Sequence, residues 1–175
     1  VAGLPLRQGV AARILEAPAE RVLRAVADGS HYDEWMPFVR RAAAEPLADG
    51  GLLLDQTLDL PFPAADRRYR ARLDAAPAPG GGWRVEWAHL PGSGNVRDHR
   101  GSWTLAAESP ARTRVRLELY ADLGLPATLA EPLLARSLPW ILDGLRQQVG
   151  RCRYDRPIAA ACAEEPPLLP ASLGR

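Results

Sequence analysis

Leu138, Ile141, Leu142, Leu145 and Val149 fall at the offsets of a single stripe along a 3.6-residue helix. No other feature of the chain constrains its fold as strongly. Asp143, Arg146, Gln147 and Arg151 fall largely off the stripe. Ser137 reads as an N-cap, and Pro139 sits in the first turn, where its missing N–H costs little. The spacing predicts a long helix from Ser137, within the segment 123–154. Pro126 and Pro132 set off a shorter helical piece before it. An amphipathic helix of this length must bury its stripe against another layer, and a curved antiparallel sheet supplies one.

The rest of the chain reads as strands with one apolar face each. A first strand covers residues 9–16. Pro18 then opens a helix with Val22, Leu23 and Val26 on one stripe. A second short helix over residues 31–36, stopped by Pro37, places Tyr32 and Trp35 three apart on one face. Residues 38–44 alternate weakly. In LLLDQTLDL, Leu52, Leu54, Leu58 and Leu60 share a face, with Gln56 in its middle. DRRYRARLDA puts Tyr69, Ala71 and Leu73 opposite Arg68, Arg70 and Arg72. Trp83, Val85, Trp87 and His89 oppose Arg84 and Glu86. In VRDHRGSWTLAAE, Arg97, His99 and Gly101 share parity with Trp103 and Leu105. The clearest strand is RTRVRLELYADL, with Thr113, Val115, Leu117 and Leu119 inward.

Composition excludes several classes. The formal net charge of +1 argues against an electrostatic nucleic-acid binder, so no nucleic-acid partner is expected. No apolar run is long enough to span a bilayer, so no stable membrane insertion is expected, although transient contact with a membrane surface stays compatible with the sequence. A cytoplasmic location is expected, with a periplasmic or secreted one as the alternative if Val1 marks a processed signal-peptide junction. The two cysteines, Cys152 and Cys162, read as unrelated thiols sooner than as a bridge. Phosphate-binding, zinc-protease and nucleophile-elbow motifs are absent, and neither a cofactor nor a metal is expected.

Three stretches carry a family resemblance. APAERVLRAVADGSHYDEWMPFV, HRGSWTL and TRVRLELYADLGLPATLAEPLLARSLPWILDGLRQQV together cover most of residues 11–153. In order and spacing they resemble the START-like helix-grip superfamily (SRPBCC), which includes polyketide cyclases/aromatases and lipid-transfer domains. The resemblance implies an α+β fold in which a curved antiparallel sheet of about seven strands wraps a long C-terminal helix. Two short helices would follow the first strand. Chain length and the prolines after Asp155 add the expectation of one domain over residues 1–154 and a proline-rich tail over 155–175. The resemblance also implies a cavity between sheet and helix that holds a lipid, sterol or polyketide-like molecule. It hands over no catalytic residues.

On parity, the candidate ligand-binding residues are Gln56, Tyr69, Trp83, Trp87, Arg97, His99 and Trp103, with Ile141 and Leu145 from the helix. Arg97 and His99 have inward parity near the strand's start, where a bulge would flip them, and Arg100 has outward parity unless the same bulge turns it. Small residues such as Ala71 and Gly101 would leave volume on the same faces. Three functions follow from such a cavity: binding or carriage of an apolar molecule, a cyclase/aromatase-type enzyme, or an interaction module whose core is filled. Scattered inward polar residues favour the first. Convergence of His99, Tyr69 and an arginine on one pocket would favour the second.

Overall fold

A period-two alternation of apolar and charged residues recurs along most strands, and each inward set lands in one core. The computed structural model describes residues 8–155. Cys162 and the tail beyond Asp155 lie outside the described residues. The strands are β1 (Gln8–Leu15), β2 (Val39–Pro46), β3 (Leu52–Leu58), β4 (Arg67–Pro77), β5 (Trp83–His89), β6 (Asp98–Ser109) and β7 (Arg112–Asp122). They form one antiparallel sheet in the order β1-β7-β6-β5-β4-β3-β2. Helix α1 (Ala19–Ala27) and a 3₁₀ segment (Gly29–Glu34) connect β1 to β2, which lie on opposite edges. Helix α2 (Ala127–Val149) closes the concave face. This is the α+β helix-grip architecture expected from the sequence.

Helix α2 differs from expectation in its start. It runs unbroken from an N-cap at Pro126, with Pro132 and Pro139 inside it. Ser137 is no cap: its hydroxyl donates to the Leu134 carbonyl at 2.9 Å. Both prolines are exposed, so the carbonyls they leave without an intrahelical partner, at Thr128 and Ala135, also sit on the solvent-facing side. The helix survives them because its opposite face buries Leu134, Leu138, Ile141, Leu142, Leu145 and Val149. Leu138 packs against β1 at Gly9, and Arg13 of β1 bonds Asp143.

The far end of α2 is held tightest. A Cβ at Gly144 would lie 2.3 Å from the carbonyl oxygen of Trp35, so only glycine allows this approach. Trp35 is buried edge-to-face on Tyr32, with ring centroids 5.5 Å apart, as their spacing suggested. Past α2 the chain turns back over α1. Arg24 donates to the Tyr154 carbonyl, Tyr154 donates to Asp28 at 3.0 Å, and Gln148 donates to the Tyr154 hydroxyl. Arg151, expected off the stripe, is buried with its Nη1 3.6 Å from Glu34 Oε2. Cys152 is not a free thiol, which corrects the expectation of unrelated thiols at that position.

Most arginines of the sheet's outer face are paired. Several partners lie two residues along the same strand, as in Arg84–Glu86, Arg116–Glu118 and Arg72–Asp74; Asp55 takes Arg68 and Arg70 across strands.

Leu145, fully buried, anchors the stripe. Leu145→Ala is expected to cost about 2–5 kcal/mol, read from the denaturation midpoint. Gly144→Ala should also destabilise, by about 1–3 kcal/mol, because overpacking against Trp35 outweighs the better helix propensity of alanine. A stabilised Gly144→Ala protein would mean that α2 does not sit this close.

Candidate functional site

Helix α2 lies on the edge strand β1, through Leu138 at Gly9, and meets the Trp35 carbonyl near its end. Its earlier turns, through Ala130, Leu133, Leu134, Ser137 and Ile141, roof a cavity. The floor is the concave face of β3 to β7, and Met36, Pro37 and Phe38 form one side. The cavity encloses about 990 Å³ of atom-free space, its open mouth included, of which a water molecule's centre can occupy about 110 Å³. Its wall is almost wholly apolar, and among the described residues none that lines it is charged. Such a surface can hold an apolar body and orient it through few polar groups.

The polar groups lie side by side on the floor. Gln56 and Tyr69 are cross-strand partners in the β3–β4 register, and the Tyr69 hydroxyl donates to Gln56 Oε1 at 2.6 Å. Gln56 Nε2 is buried without a partner. The Tyr69 ring lies 4.7 Å, centroid to centroid, from His99, and the Trp87 indole donates to His99 Nδ1 at 3.0 Å. Burial holds the Tyr69 hydroxyl above its ordinary pKa. Burial, and then the neighbouring His89, push His99 down to about 4, so its ring is neutral at neutral pH.

Of the residues expected on the wall, Gln56, Tyr69, Trp87, His99, Trp103 and Ile141 line the cavity. Three expectations are corrected. Trp83 lies at the far end of β5, paired with Leu105 and Pro77, and packs on the core away from the cavity. Leu145 is sealed inside the tight end of α2. Arg97 precedes β6 and is exposed, so the alternation of the strand does not extend to it. Arg100 keeps its outward parity, over the Tyr120 ring. Gly101 leaves no free volume, because the Trp87 indole covers it: a Cβ there would lie 2.4 Å from Trp87 Cζ2. Residues missed by parity are Met36, Pro37 and Phe38, which come from an irregular segment with Phe38 at a φ of 65°. The proline after Met36 was the only local signal of that turn.

A curved antiparallel sheet gripping one C-terminal helix over an apolar cavity defines a START-like helix-grip protein. The chain belongs to the polyketide cyclase / dehydrase and lipid transport family, whose profile it matches over residues 15–146. Among solved structures it is similar to a STAR-related lipid transfer protein from Xanthomonas axonopodis, with 22% identity over 85% of this chain and 89% of that one, at a TM-score of 0.75. It is also similar to the Zhui aromatase/cyclase from Streptomyces sp. R1128, with 20% identity over 89% and 97% of the two chains and a TM-score of 0.62. Human StAR-related lipid transfer protein 5 aligns with 15% identity over 81% and 74%, at a TM-score of 0.68. At these identities the likeness is one of fold. No curated protein matches the sequence.

The depressed His99 pKa sets a pH dependence. The unfolded chain takes up this proton near the ordinary value of 6.5, while the folded site resists it down to about 4. Stability present above pH 6.5 is therefore lost as the pH falls toward 4. In His99→Gln, whose amide oxygen still accepts from Trp87, urea unfolding should show a smaller loss across that window. Identical losses in both proteins would mean that His99 titrates normally.

Proposed function

We propose that the protein binds or carries an apolar small molecule, lipid, sterol or polyketide-like, in the cavity between the sheet and α2. The apolar cavity with its short polar row on the floor carries this reading. An unpartnered buried amide such as Gln56 Nε2 is costly in an empty protein, by about 1–3 kcal/mol, and a bound molecule can compensate it. A filled interior, which would have favoured a pure interaction module, is not what surrounds these residues.

The cyclase/aromatase reading has one observation in its favour, the contact of Tyr69 and His99 on one wall. It ranks second because neither Arg97 nor Arg100 reaches the cavity, which leaves no fixed cation among the described lining residues to stabilise a developing enolate. A brief membrane encounter fits the binding reading. Among the described residues no helix is long and apolar enough to cross a membrane, yet Phe62 is 96% exposed between Pro61 and Pro63, close in sequence to Leu60 of the cavity wall.

Native mass spectrometry of the purified protein should show a co-purified apolar mass or, after delipidation, stoichiometric uptake of an environment-sensitive apolar dye. Dye binding should quench tryptophan fluorescence, and Trp87→Phe should weaken that quenching. Unsaturable, weak dye uptake with no co-purified mass would sink the binding reading.

A further inference from the structure

The hydrogens on the cavity wall are unequally committed. Every lining hydroxyl already donates inside the protein: Tyr32 to the Val26 carbonyl at 2.5 Å, Ser137 to the Leu134 carbonyl at 2.9 Å, and Tyr69 to Gln56 Oε1 at 2.6 Å. The last bond fixes the Gln56 amide, so its free hydrogens are on Nε2, in a residue only 4% exposed. Indole N–H groups can only donate, so Trp87 makes His99 Nδ1 an acceptor, and the neutral ring carries its hydrogen on Nε2. Gln56 and His99 both touch Tyr69, one through its hydroxyl and the other against its ring. The floor therefore holds two neutral N–H donors, one wholly buried at Gln56 and one at His99, and among the described residues lining the cavity no cation accompanies them.

Building on the binding reading above, we propose that the cavity selects neutral apolar molecules bearing a hydrogen-bond acceptor. A ketone, ester or ether oxygen would sit against Gln56 Nε2 and His99 Nε2, and the carboxylate form of the same skeleton would be rejected. An acceptor completes donors that a hydrocarbon leaves unpaired. A carboxylate would have to shed its hydration in an apolar chamber with no cation to replace it. A site built around donors thus discriminates against ligands that lack the matching atom.

The test is a calorimetric titration with three probes on one skeleton: 2-ethylnaphthalene, 2-acetylnaphthalene and 2-naphthoate, at neutral pH. Wild-type protein should bind the ketone about tenfold more tightly than the hydrocarbon, with the carboxylate weakest. The double variant Gln56→Leu/Tyr69→Phe removes both ends of the buried bond and leaves no orphaned hydroxyl. It should reduce the ketone's advantage over the hydrocarbon to about threefold, since His99 Nε2 remains as the second donor. If that variant does not fold, the wild-type ranking alone decides. Equal affinity for all three probes, or a full ketone preference persisting in the double variant, overturns the proposal and leaves apolar binding standing. Failure of all three to bind overturns both.

Discussion

The structure depends on an uneven contact between α2 and the elements beneath it. At the C-terminal end, Gly144 lets the helix meet the Trp35 carbonyl and Leu145 disappears into the core. Toward the N-terminal end, Ala130, Leu133 and Ser137 face open volume instead of interdigitating side chains. One helix thus serves as a core element along half its length and as a roof along the other half. Close packing transmits strain, so the tight end defines where the roof is held. The Tyr154 turn, clamped to α1 through Arg24 and Asp28, extends that anchorage past the helix end.

The floor combines rigidity with chemical neutrality. Each polar side chain is held by its neighbour: Gln56 by Tyr69, and His99 by Trp87. Gly101 belongs to the same arrangement, since the indole that orients His99 lies flat over the space where a side chain would stand. Buried polar groups held in this way keep their direction without a bound partner, so less ordering is required when one arrives.

Much of this was legible in the sequence. Period two placed Gln56, Tyr69, Trp87, His99 and Trp103 on one face, because each is paired within its strand and no bulge intervenes even at His99, near the start of β6. The same rule failed at Arg97, which precedes its strand, and it could not tell the cavity from the core for Trp83, as the helical stripe could not for Leu145, since periodicity gives a face but not a position along it. Helical periodicity found the stripe but broke α2 at its prolines, because propensity is local while the burial that sustains the helix through Pro139 is tertiary. Phe38 and Met36 had no period to reveal them.

The pairing on the outer face bears on how fast a ligand arrives. Arginines matched to acids two residues along the same strand, or to Asp55 beside them, leave only short-range fields that physiological salt screens within about 8 Å. With a formal net charge of +1 the molecule has little long-range attraction to offer. Capture of a cargo is then governed by free diffusion to the mouth and by the width of the opening. Its on-rate should be nearly indifferent to ionic strength, unlike that of proteins that steer charged substrates toward a cleft.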